Sequence, residues 1–230
     1  MEWCNDEAEL YYVEKGNGIP LILLHGNGGN STYFEKQLEY FSKEYRVIAV
    51  DTRGHGQSPR GRAPFTIRQF AEDLKLFMDR MGIEKAHLLG FSDGGNVALC
   101  FALKYPERID KLILNGANLN AKGVKRSVQL PIEIGYCIAK MFANKSAEAG
   151  RHAEMLGLMV NEPNIKEKQL KQMKVPTLVI VGTRDMIKES HTRKMYENLP
   201  NARLAVIEGD HFIANKRAET FNKEVEDFLR

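Results

Sequence analysis

Apolar residues along this chain fall into two rhythms. Short unbroken runs, PLILLHG (20–26), YRVIAVD (45–51), AHLLGF (86–91), KLILNG (111–116), TLVIVG (177–182) and LAVIEG (204–209), are each closed by turn residues. Continuous runs of this length suit strands buried on both faces of a parallel sheet. LYYVEKG (10–16) alternates instead, as an antiparallel edge strand would. Between the runs the spacing changes to three and four residues. Ile67, Phe70, Leu74, Phe77, Met78 and Met81 mark one amphipathic helix, and Phe221, Val225, Phe228 and Leu229 mark a terminal one. Val97, Leu99, Cys100, Phe101 and Leu103 form a segment apolar nearly all round, suited to burial under the sheet. Strands alternating with helices predict an α/β domain with a doubly wound, mostly parallel sheet.

The alternation breaks once. Residues 119–174 carry helical patterns over 132–142 and 147–160, and no strand run. We read this stretch as a small helical lid inserted between the sixth and seventh strands, with 1–118 and 175–230 forming the core. Its Met141, Met155 and Met159 are candidate substrate contacts of a flexible apolar pocket. Ordinary surface helices with methionine as filler are the alternative.

Composition narrows the partners. The chain has 230 residues, 43% apolar and 27% charged, with a net charge of +3. That is the balance of a soluble globular protein, and it is too weakly basic to suggest nucleic acid. The local cluster Lys122, Lys125 and Arg126 reads as a solvated face. No apolar run is long enough to span a membrane, and MEWCNDEAEL lacks the layout of a signal peptide. Cys4, Cys100 and Cys137 are odd in number and widely spaced, which fits a reducing cytoplasm better than a disulfide framework or a zinc site. Neither metal nor cofactor is expected, and the oligomeric state is left open.

The chemistry sits at the strand ends. AHLLGFSDGG is a strand, then G-x-S-x-G, then a helix; such a turn exposes Ser92 as a nucleophile. A base and an acid must follow in the order acid, then histidine. TLVIVGTRD sets Asp185 just beyond one strand, and LAVIEGDHF sets His211 just beyond the next. His211 would take the serine proton, and Asp185 would hold the imidazole tautomer. NGANLN, after the preceding strand, offers no carboxylate. His87 lies within a strand run, His152 and His191 lie on exposed helical patterns, and His25 and His55 brace glycine-rich loops. An oxyanion hole needs two N–H donors: that of Asp93, and that of Asn27 in HGNGGN with Gly28 as the fallback. HGNGGN lacks the Lys-Ser/Thr of a phosphate-binding loop.

LHGNGG, DTRGHGQS (51–58), GFSDGG, GTRD and GDHF occur in the order and spacing of the α/β-hydrolase superfamily, covering nearly the whole chain apart from the insertion. GFSDGGNVALCFALKYPERIDKLILNGAN resembles the biphenyl-hydrolase-like, or valacyclovir hydrolase-like, esterases in particular. The resemblance implies a cofactor-free Ser-His-Asp hydrolase of small esters working through an acyl-enzyme. It also implies that Asp51 and Arg53 belong to a structural loop under the site. Amide, thioester and lactone hydrolysis, C–C bond hydrolysis and perhydrolysis are related chemistries on the same frame. A small-molecule receptor or signalling protein with slow turnover is the alternative from another class. The Asp93 side chain keeps two readings. It is either an acid suited to the first turn of a helix, or a carboxylate that reads the ammonium of an amino acid ester.

Overall fold

In the computed structural model, residues 9–230 are described. The sheet consists of β1 (Tyr12–Lys15), β2 (Pro20–Leu24), β3 (Arg46–Val50), β4 (Ala86–Phe91), β5 (Ile109–Asn115), β6 (Thr177–Gly182) and β7 (Ala202–Ile207). The helices are α1 (Glu35–Phe41), α2 (Ile67–Arg80), α3 (Asp93–Lys104), α4 (Arg126–Phe142), α5 (Ala147–Asn161), α6 (Glu167–Leu170), α7 (Glu189–Asn198), α8 (Ile213–Lys216) and α9 (Ala218–Leu229). Cys4 and most of the acidic N-terminal stretch lie outside the described residues.

The strand order is β1-β3-β2-β4-β5-β6-β7, with β1 alone antiparallel. The apolar runs explain this sheet. Along β2, Leu21 and Leu23 turn to one face, where they meet Phe34, Phe41, Phe221 and Val225. Ile22 and Leu24 turn to the other, against Phe70, Leu74, Val97 and Phe101. Each such side chain contributes about 1.5–3 kcal/mol on full burial, so two-sided strands hold both helical layers at once. β4 is buried at all six positions.

β7 departs from the two-sided reading of LAVIEG. It is the last strand in the order, and its positions alternate, with Val206 57% exposed and Ala205 and Ile207 buried. An edge strand has a neighbour on one side only, so its outer positions stay wet. The insertion lies between β5 and β6 of these seven strands, one step earlier than a count to the sixth and seventh strands. Its two long helices are α4 and α5. α5 is tied to the core by Leu158, by Arg60 paired with Glu154, and by the Ile67 N–H donated to Glu162. α4 packs chiefly on α5, with Tyr136 over Gly157 and Leu156 over Gly135.

Candidate active site

The parallel strands end together on one rim, and the loops leaving β2, β4, β6 and β7 carry the expected residues. Ser92 takes φ 53° and ψ −121°, a left-handed conformation that costs on the order of 1–3 kcal/mol for a non-glycine residue. Two contacts over-determine it. The Ser92 N–H donates to the Asn115 carbonyl at 2.8 Å, and the Asn96 N–H returns to the Ser92 carbonyl at 3.0 Å. The turn is tight enough to demand its glycines. A Cβ on Gly94 would stand 2.0 Å from the Leu24 carbonyl oxygen, and one on Gly90 would stand 2.3 Å from that of Gly94.

Asp185 and His211 meet across the β6 and β7 loops. His211 Nδ1 lies 2.8 Å from Asp185 Oδ1, both side chains are buried, and the Ile187 N–H donates to the same oxygen at 2.9 Å. A carboxylate at that nitrogen keeps the proton on Nδ1 and leaves Nε2 as the basic lone pair. Nε2 is buried without a hydrogen-bond partner among the described residues, so the link from Ser92 to the base is not closed in this state. Such contacts commonly tighten only around substrate.

Aromatic residues wall the imidazole. The Phe91 ring lies 4.8 Å from it, Phe212 lies 5.6 Å away, and Tyr33 stacks on Phe91 at 4.3 Å. The Tyr33 hydroxyl is buried with no hydrogen-bond partner among the described residues, and burial together with the charges of Asp210 and Asp185 raises its pKa. The sequence reading missed these three residues. The available signal was adjacency, since Phe91 precedes Ser92 and Phe212 follows His211. It also missed Lys125, whose ammonium donates to the Asp185 carbonyl. Beside it, Val124 bridges Ile187 and fixes the start of α4 against the acid loop.

The loop after β2 approaches the start of α3. Among the described residues no backbone carbonyl accepts from the N–H of Asn27 or Asp93, so both remain available to an anion. The Asn27 side chain donates to the Met155 carbonyl at 2.7 Å, and the Met155 side chain lies over Gly28. Met155 therefore reaches this loop. Met159 lies on the seam between α4 and α5, its carbonyl accepting from Gln129. Met141 does not belong to the site. It is 73% exposed, on the side of α4 turned away from α5.

Asp93 is only 8% exposed. Its Oδ1 accepts from Asn96 at 3.1 Å, while Oδ2 is buried with no hydrogen-bond partner among the described residues. It faces a cavity of about 10 Å³ shared with His25, Asn27, His55, Val97 and Leu158, room for about one water. Burial pushes its pKa up to about 6, against the pull of Asn27 and Asn96, and the nearby Glu162 adds to the rise.

Below the rim, polar groups brace the loops. His25 Nε2 accepts from the Thr52 N–H at 3.0 Å, so Nδ1 carries the proton and donates to the Gly26 carbonyl at 2.8 Å. Burial lowers the pKa of His25 to about 4. The Asp51 carboxylate takes the N–H groups of Ser31 and Gln57, and the buried Arg53 meets Asp73 through two 2.7 Å contacts. His191, expected to be exposed, is half-buried and accepts from the Leu119 N–H. It ties α7 to the start of the insertion.

Comparisons with known proteins agree with this architecture. A family model for the alpha/beta hydrolase fold matches residues 19–130, and one described as Serine hydrolase (FSH1) matches 85–222. The chain is 30% identical to the serine hydrolase BPHL of Homo sapiens over 97% of its length and 84% of the relative's. It is 29% identical to the 2-hydroxy-6-oxo-6-phenylhexa-2,4-dienoate hydrolase of Comamonas testosteroni, with 96% and 91% covered. Among solved structures, the meta-cleavage product hydrolase CumD of Pseudomonas fluorescens IP01 superposes with a TM-score of 0.79 at 26% identity, covering 97% and 95%.

Proposed function

Because the chain belongs to the α/β-hydrolase family and is a hydrolase, we propose that it is a serine hydrolase of small carboxylic esters, with Ser92, His211 and Asp185 as its triad. The observation that carries this reading is the buried Asp185–His211 contact, which leaves Nε2 as an unpartnered base on the same rim as Ser92. Ser92 Oγ attacks the ester carbonyl while its proton passes to Nε2. The oxyanion takes the N–H groups of Asn27 and Asp93, with the dipole of α3 behind the latter. His211 returns the proton to the departing alcohol, and a water deprotonated by the same nitrogen then releases the acid. The hole uses backbone donors already in place, so little reorganisation accompanies the charge.

The finer reading concerns charge beside the ester. Asp93 Oδ2 is a buried acceptor without a donor among the described residues, and a substrate ammonium would satisfy it. The preferred substrates are therefore esters bearing an amine next to the carbonyl. Hydrolysis of a C–C bond is the second reading, favoured by the full-length similarity to the phenylhexadienoate hydrolase. A substrate of that class carries a carboxylate, which Asp93 would repel.

The test pairs an active-site probe with turnover. The wild type should be labelled by a fluorophosphonate and should hydrolyse p-nitrophenyl acetate. Ser92→Ala should lose the label and at least about 10⁴-fold in kcat. Labelling of Ser92→Ala at the wild-type rate would remove Ser92 from the mechanism. A labelled wild type with no turnover on any ester would instead favour a receptor.

A further inference from the structure

Most of the exposed large apolar side chains among the described residues lie on one helix: Leu130, Ile134, Ile138, Met141 and Phe142 of α4. Steps of three and four residues set them on one side. They form a stripe about 18 Å long at about 1.5 Å per residue. The opposite side, with Ile132, Tyr136 and Ala139 half-buried, rests on α5. α4 is thus apolar on two sides and supported on one.

The charge around the stripe is lopsided. Residues 120–146 contain Lys122, Lys125, Arg126, Lys140 and Lys145 against the single acid Glu133, a net charge of +4 in a chain whose whole net charge is +3. All five cations are exposed, but Arg126 pairs with Glu133, the Lys125 ammonium donates to the Asp185 carbonyl and Lys140 lies over the Tyr136 ring on the α5 side. That leaves Lys122 and Lys145 as the cations at the two ends of the stripe. A second copy docked by a two-fold axis would bring two such surfaces face to face, like charge on like. A negatively charged surface with an apolar interior matches both features at once.

We propose that α4 and its flanks dock this hydrolase on an anionic lipid bilayer. The helix lies in the headgroup plane, its outer stripe dips into the acyl boundary, and Lys122 and Lys145 meet lipid phosphates. This is adsorption, since no helix of the described residues is long and apolar enough to cross a membrane. The lack of a spanning run in the sequence does not bear on a surface helix. The start of α4 is bridged to the Asp185 loop, so a docked molecule holds its catalytic rim close to the lipid.

Co-sedimentation of the full chain tests this, using vesicles of phosphatidylcholine alone or with roughly one-third phosphatidylglycerol. Binding should be at least about tenfold stronger to the anionic vesicles and should fall about tenfold between roughly 0.1 and 0.5 M salt. Ile134→Ser combined with Ile138→Ser should weaken it at least about tenfold, as should Lys122→Glu combined with Lys145→Glu. Unchanged hydrolysis of a soluble ester by both variants shows that the fold is intact. Equal binding to the two vesicle types, or no binding, overturns the proposal. So does a dimer in sedimentation velocity that the isoleucine variant abolishes while vesicle binding is unaffected.

Discussion

Asp93 and His25 lie on the same small cavity and oppose each other on the pH axis. The pKa of His25 is lowered from 6.5 to about 4 by burial, so acid charges the unfolded chain first, and stability falls as pH drops from 6.5 towards 4. Asp93 is raised from 3.8 to about 6, so the folded state holds its proton longer, and its contribution to stability falls as pH rises through the same window. Each effect amounts to about 3 kcal/mol at full extent, and the two slopes largely cancel. Asp93→Asn removes one of them. Its melting temperature, measured against pH, should therefore fall more steeply than that of the wild type between pH 6 and 4. Under the proposed function the same carboxyl group reads the charge of the substrate. Below about pH 6 it is neutral, and the preference for aminoacyl esters over neutral esters should decline. Asp93→Ala at pH 8 should lower kcat/KM on an aminoacyl ester at least about tenfold more than on its neutral counterpart. Equal losses would return Asp93 to the role of a helix-start residue.

Helix α9 shows what an element contributes when a single stripe holds it. Phe221 and Val225 are fully buried beneath the sheet, and Asn222 accepts from the buried Gln37 of α1. Phe221→Ala should cost about 3–5 kcal/mol, read as a lower denaturant midpoint with little change in kcat at low denaturant. Such stripes were legible because a buried helix must repeat its apolar residues near 3.6, and α2 and α9 both do. Strands β2 to β6 were legible because two-sided burial leaves unbroken runs. β7 was misread because being outermost is a property of the sheet order, which no local pattern records. The candidate site divides the same way. Ser92, Asp185 and His211 each follow a strand end, so position along the chain was enough to set them on one rim. Tyr33 reaches the imidazole through Phe91, and Met141 turns away from it; both depend on how elements dock. His191 took its partner Leu119 from 72 residues away, beyond any local window.

At the scale of the whole molecule, the core and the insertion are joined unequally. α5 reaches the core through Leu158, the Arg60–Glu154 pair, the Glu162 carboxylate and the Met155 carbonyl, whereas α4 leans on α5 and on its own first turn at the acid loop. The sequence marked the insertion by its missing strand, but not this hierarchy, because apolar spacing reads alike on a supported and an unsupported face. The consequence is kinetic. Amide protons open locally at a cost set by the packing around them, so the insertion should exchange in stages. In deuterium exchange followed by mass spectrometry, the later turns of α4 should label first, α5 next, and α3 only with global unfolding. Simultaneous labelling of α4 and α5 would show that they open as one unit. In staged exchange, Asn27 marks the boundary. Its side chain holds α5 while no backbone carbonyl of the described residues accepts from its own N–H, so the tempo of the insertion ends one residue's width from the donor that the proposed function gives to the substrate carbonyl.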